Sequence, residues 1–209
     1  MKTFAFVDAS NLFYGGEKSL GWKIDYHKLL DYLRNKYGVS KAFYFGGVEI
    51  YKYKFDYLNN TTVPLNEIEI YLSNIIKNSG NKLNEAQLLL VSRHLSRIHF
   101  YQKLEEFGYK LHLKPVKLYT QEDGTTKRKA NCDVDMAFYL MKEKDNFDRV
   151  IILSGDGDFL PTLKYLKDYG KEVIVLARAP RTAKEIKQLV AGDFRDFVRL
   201  ENRIRFRGK

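Results

Sequence analysis

Asp8, Asp133, Asp135, Asp156 and Asp158 fall in three segments far apart in the chain, and each segment lies close to an apolar run. Carboxylates brought together repel one another unless cations neutralise them or some hold protons. Hard oxygen donors of this kind suit Mg²⁺ or Mn²⁺. An ion held there can activate water and stabilise the leaving oxygen in phosphodiester cleavage. Asp133 is the expected ligand of its pair, with Asp135 second. Two apart on a helix, they do not share a face, although both can reach an ion from a frayed first turn. Asn11, three residues after Asp8, can turn back to orient Asp8 or a water at the ion, and Ser154 places a hydroxyl beside the acids. Plainer roles compete at each position. Asp133 can simply cap its helix, and Asp156 or Asp158 can cap the helix beginning near Phe159. Asn11 can be an ordinary turn residue, and Ser154 the end of a strand.

The elements that must position these groups are read from hydrophobic pattern. Apolar runs predict strands over 3–7, 41–48, 109–116, 149–153 and 172–177. Helical periodicity and end signals predict helices over 26–37, 64–77, 84–107, 133–144, 159–169 and 182–190. Strands alternating with helices imply a doubly wound α/β sheet, whose ligands sit outside the carboxyl ends of the strands. Asp8 follows the first strand and Asp156 and Asp158 follow the fourth, so the acids belong to that edge. Tyr51, Tyr53, Phe55 and Tyr57 alternate with Lys52 and Lys54. That pattern predicts a strand with a packed aromatic face, or a surface that stacks single-stranded bases. The stretch 120–129 has no apolar residue and is expected to be an exposed loop. The apolar stripe of 84–107 faces either the core or a partner subunit, which leaves homo-oligomerisation open.

Composition narrows the classes. The 209 residues carry 36 Lys and Arg against 26 Asp and Glu, a formal charge of +10. That excess points to an anionic partner, nucleic acid first and acidic lipid second. With 44% hydrophobic residues a packed core is expected, and a single cysteine, Cys132, excludes a disulfide framework or a multi-cysteine zinc site within the chain. The four apolar residues before Asp8 are too few for a signal-peptide core or a membrane span, so a cytoplasmic protein with no membrane partner is expected. The glycines of SGDGD lack the GxGxxG spacing, and no GK[ST] follows, so neither dinucleotide binding nor a P-loop is supported. His27, His94, His99 and His112 share no spacing and are expected to be structural or surface residues. Arg128 and Lys129 precede the Asp133 helix, and Arg178, Arg181 and Lys184 follow the fifth strand. All five are candidates for contact with an RNA phosphate backbone, against the simpler role of a solvated loop.

Three motifs in order carry a family resemblance. Asp8-Ala9-Ser10-Asn11, then Lys129-Ala130-Asn131-Cys132-Asp133, then Ser154-Gly155-Asp156-Gly157-Asp158-Phe159 resemble the NYN domain in its bacterial LabA-like branch, within the PIN-like nuclease superfamily. Gly192-Asp193-Phe194 and Asp196-Phe197 are similar to the family's C-terminal pattern. The resemblance spans about 1–48 and 100–198. It implies a PIN-like three-layer α/β/α fold with a central, mainly parallel five-stranded sheet. It also implies one domain over 1–200, an insertion at about 50–83 and a basic tail over 201–209. The activity implied is that of a Mg²⁺- or Mn²⁺-dependent ribonuclease acting on single-stranded or structured RNA. Asp8, Asp133, Asp156 and Asp158 would form its metal site, with Asn11 and Ser154 in support. The alternative is a non-catalytic RNA-binding or regulatory module on the same fold. A phosphohydrolase using Asp133-Val134-Asp135 ranks last, because an aspartyl nucleophile should directly follow a buried strand and here KRKANC precedes it.

Overall fold

A computed structural model describes residues 1–78, 83–120, 124–130 and 132–208, without the side chains of 118–120 and 126–129. From the N-terminus come β1 (Thr3–Asp8), α1 (Ala9–Asn11), a π-helical turn (Leu12–Glu17), α2 (Lys18–Leu20), α3 (Tyr26–Tyr37) and β2 (Val39–Val48). Then follow α4 (Leu65–Lys77), α5 (Glu85–Phe107), β3 (Tyr109–Pro115), β4 (Lys117–Thr120) and β5 (Thr126–Lys129). The last third holds α6 (Asp133–Lys142), β6 (Arg149–Leu153), α7 (Leu160–Asp168), β7 (Glu172–Ala177), α8 (Lys184–Val190), β8 (Phe194–Asp196) and α9 (Glu201–Ile204). Contacts group the chain into two compact units, 1–45 with 132–209, and 46–131. Among the described residues no helix is long and apolar enough to cross a membrane.

The main sheet has the hydrogen-bonded order β3-β2-β1-β6-β7-β8. β1 pairs in parallel with β2 and β6, β6 with β7, and β7 with β8. The fold is the α/β class expected, with six strands instead of five. The additional strand, β8, is only three residues, Phe-Arg-Asp, all part-exposed. It is too short and too polar to register as a strand pattern. All six residues of β1 are buried. Successive side chains point to opposite faces of a strand, so both faces of the sheet are covered, the condition under which parallel sheets form. On one side Phe6 lies against Phe43 at 4.9 Å between ring centroids, and Phe147 meets Phe4 at 5.6 Å.

Local signals set the helix ends. The Asp25 carboxylate accepts a hydrogen bond from the Lys28 N–H at the start of α3, and Gly38 ends that helix at φ 67°, a conformation glycine adopts without a Cβ penalty. The segment expected as a basic tail is anchored: α9 packs against α3 and Ile204 is fully buried.

The unit 46–131 includes the segment 50–83 singled out in the sequence. Residues 51–57 do not form the predicted strand. The chain turns at Lys52, φ 51°, and the Asp56 carboxylate accepts from the N–H groups of Leu58 and Asn59. Turn hydrogen bonding of this kind competes with a strand ladder. Tyr53 packs edge-on against Tyr71 at 5.4 Å instead. On α5, Val91, Ile98 and Leu104 are buried as the stripe predicts, whereas Leu88 is exposed. Part of the expected loop at 120–129 is a strand instead: Thr126–Lys129 pairs antiparallel with Lys117–Thr120. A two-stranded ribbon is held by backbone pairing and needs no apolar run, so the polarity of this stretch concealed it. Residues 121–123 lie outside the described residues.

Candidate active site

Register places the first two site residues. β1 and β6 are neighbours with Val7 opposite Leu153, so Asp8 and Ser154 leave the sheet side by side although 146 positions separate them. Asp8 is only 5% exposed. Its Oδ1 accepts from the N–H groups of Ser10 (2.9 Å) and Asn11 (3.1 Å), capping α1. Its Oδ2 accepts from the Ser154 hydroxyl at 3.0 Å. Ser154 Oγ in turn accepts from the Asp156 N–H at 3.2 Å, and the Asn11 side-chain oxygen accepts from the Gly155 N–H at 3.1 Å. The two strand-end loops are therefore cross-tied by two hydrogen bonds, Ser154 to Asp8 and Gly155 to Asn11. Asn11 acts here as a tie between loops, a more specific role than the turn asparagine alternative.

The loop after Ser154 is itself capped. The Asp156 carboxylate accepts from the Asp158 N–H at 3.0 Å, and Phe159 behind it is buried. Asp156 is half-buried and Asp158 exposed. Asp133 and Asp135 lie in the first turn of α6, both part-exposed. Burial pushes the Asp8 carboxyl up to about 6, and the negative charge of Asp133 adds to that; the backbone N–H groups and Ser154 pull the other way. Asp8, Asn11, Ser154 and Asp156 thus form one bonded cluster, with Asp133 in electrostatic contact. Among the described residues no three Asp, Glu, His or Cys side chains gather into a metal cage.

A residue that sequence reasoning did not single out closes the loop. Thr182 is buried, and a Cβ on Gly155 would stand 2.5 Å from its Oγ1 and 2.9 Å from its Cα. The Gly155 carbonyl also accepts from the Ala183 N–H at 2.9 Å. Backbone this close leaves no room for a side chain. Gly155→Ala is expected to destabilise the protein by about 1–3 kcal/mol, measurable by urea unfolding. Gly157→Ala meets only the Ala183 Cβ, at 3.2 Å, and is expected to cost less.

The basic candidates separate. Arg178 is held by Asp196 at 3.0 Å, both side chains about one-fifth exposed, while Asp196 also caps the turn at Val198. Arg181 and Lys184 are exposed at the carboxyl end of β7. The side chains of Arg128 and Lys129 lie outside the described residues. Among the histidines, His27 faces Asp31 at 3.4 Å, His94 faces Glu49 at 3.5 Å and His99 faces Glu69 at 3.3 Å.

Asp8, Ser154 and Asp156 thus stand together at the carboxyl edge of a covered parallel sheet. The NYN domain family matches residues 2–190, and the chain belongs to it. The low amplitude and bright protein LabA of Synechococcus elongatus is 22% identical over 200 residues, covering 92% of this chain and 85% of LabA. Among solved structures, a Vibrio parahaemolyticus protein of unknown function, VPA0982, superposes with a TM-score of 0.60 at 16% identity. It covers 98% of this chain and 96% of its own. T5 5′-exonuclease with bound zinc aligns at a TM-score of 0.46 and 15% identity, over 90% of this chain and 60% of that one.

Proposed function

We propose that this protein is a divalent-cation-dependent ribonuclease that hydrolyses RNA phosphodiester bonds at the Asp8 site. The observation that carries the reading is the state of Asp8. It is withdrawn from water and repelled by Asp133. Among the described residues its hydrogen-bond partners are two backbone N–H groups and a hydroxyl, none of them a cation. A buried carboxylate so placed is costly unless an ion or a proton meets it.

The donor set fits Mg²⁺ or Mn²⁺. Mg²⁺ keeps several waters and is usually held by one or two carboxylates together with substrate phosphates, so Asp8 and Asp133 suffice without a cage. When bound, the cation supplies an activated water and neutralises charge at the phosphoryl group. The chain's own residues do the positioning. Asp8 is oriented by α1 and Ser154. Asn11 and Ser154 hold the loop that carries Asp156 and Asp158, the further carboxylates proposed to meet the ion. Asp135 stands by as a second carboxylate on α6. Arg181 and Lys184 offer exposed charge to the RNA backbone, with Arg128 and Lys129 proposed from sequence as further contacts. Arg178 works through Asp196, shaping the loop after β7.

The test is a cleavage assay on RNA and DNA of matched sequence with Mn²⁺ or Mg²⁺. Cleavage of RNA that EDTA stops is the expected result. Cleavage persisting in EDTA and in Asp156→Asn overturns the reading. A second reading, a non-catalytic RNA-binding or regulatory module on the same fold, draws on the formal charge of +10 and the exposed Arg181 and Lys184. It predicts salt-sensitive RNA binding without turnover.

A further inference from the structure

Two large rings stand in water directly after the Asp8 turn. Phe13 is 37% and Tyr14 56% exposed, and both lie on the π-helical turn Leu12–Glu17. Their neighbours explain the orientation. Leu12 is fully buried. Gly16 is also buried, and a Cβ there would stand 3.3 Å from Ile24 and 4.0 Å from Phe197. The turn is thus pressed against the core through Leu12 and Gly16, and Phe13 and Tyr14 are turned outward. The two rings meet edge to face at 5.1 Å and 77°. The Lys18 ammonium lies 5.4 Å from the Phe13 centroid and 5.1 Å from that of Tyr14. π-Helical turns are rare and recur at functional sites.

What such a surface binds follows from its parts. Exposed ring faces gain from contact with another flat, polarisable face. The adjacent ammonium favours a ligand that carries negative charge. An unpaired nucleobase with its phosphate has both properties, and bases stack on aromatic side chains in this way whatever their sequence. A base within a duplex has both faces covered by its neighbours and cannot do so.

We propose that Phe13, Tyr14 and Lys18 form a stacking platform for an unpaired base of a strand passing the Asp8 site, which makes the substrate single-stranded. This rests on reading the Asp8 site as one that acts on nucleic acid. The test measures binding in EDTA, without turnover. A single-stranded oligoribonucleotide carrying 2-aminopurine is compared with the same strand annealed to its complement. Wild type is expected to quench the single-strand fluorescence. Tyr14→Ala should weaken single-strand binding about 5- to 150-fold and abolish the quench. Tyr14→Trp should restore both, and duplex affinity should not change. Unaltered single-strand binding by Tyr14→Ala overturns the proposal, as does an equal loss on duplex, a failure of Tyr14→Trp to rescue, or no wild-type binding to either form. The two readings fail separately. Tyr14-dependent binding by a protein that cleaves nothing leaves the platform standing and removes the ribonuclease. Cation-dependent cleavage with Tyr14→Ala binding like wild type does the reverse.

Discussion

Asp8→Asn is expected to lower cation-dependent RNA cleavage by about 10²- to 10³-fold, the scale of losing one electrostatic group that acts on the transition state. The substitution removes charge and little else. The asparagine side-chain oxygen can still accept from the Ser10 and Asn11 N–H groups, which now cap α1 through Oδ1. Its Nδ2 replaces Oδ2 and faces Ser154 Oγ, which can accept in place of donating. The cross-tie between the strand-end loops can therefore persist, and the loss reports on the carboxylate itself. Asp168→Asn, an exposed carboxylate at the end of α7, serves as the control and should cleave like wild type. Initial rates with Mn²⁺ on a labelled RNA decide the matter. An Asp8→Asn rate within tenfold of wild type would remove Asp8 from the chemistry.

Much of this site was legible because it hangs on strand ends. The runs TFAFV and RVIIL are apolar enough to read as buried strands, so the residues after them, Asp8 and Ser154, had to emerge at one edge. The register of β1 with β6 then makes their hydrogen bond almost unavoidable. What escaped the sequence depends on packing between distant segments. Nothing in the spacing of Thr182 says that its Cα closes against Gly155. The ion pair of Arg178 with Asp196 needs β7 and β8 to be neighbours, and β8 was too short to see. The aromatic alternation at 51–57 misled because period two is also compatible with a turn-rich segment held by Asp56. The outward placement of Phe13 and Tyr14 depends on one extra residue in a helical turn, which no periodicity argument over six residues can detect.

The second large effect is on stability. The Asp8 carboxyl is raised from 3.8 to about 6 by burial, with the Asp133 charge adding to it. A raised pKa means that the folded state binds this proton more tightly than the unfolded state does. The associated stability is fully present below about pH 4 and is lost as pH rises through about 6. Two pH units correspond to about 3 kcal/mol, an upper bound for a group that relaxes on ionising. Metal-free Asp8→Asn lacks this loss, so at pH 7.5 it is expected to be more stable than wild type by about 1–3 kcal/mol, minus whatever the amide forfeits in hydrogen bonding. At pH 4 that advantage should vanish. Exposed carboxylates such as Asp56 and Asp148 are shifted downward and favour the folded state at higher pH. They are common to both proteins, so the difference between the two urea-unfolding profiles isolates Asp8. Mg²⁺ at pH 7.5 should raise the wild-type midpoint, because an ion that binds only the folded state stabilises it by mass action, and should leave Asp8→Asn nearly unmoved. Parallel profiles from pH 4 to 8, with equal responses to Mg²⁺, would show that the Asp8 charge is already met by groups within the fold and would leave the ion no electrostatic reason to bind there.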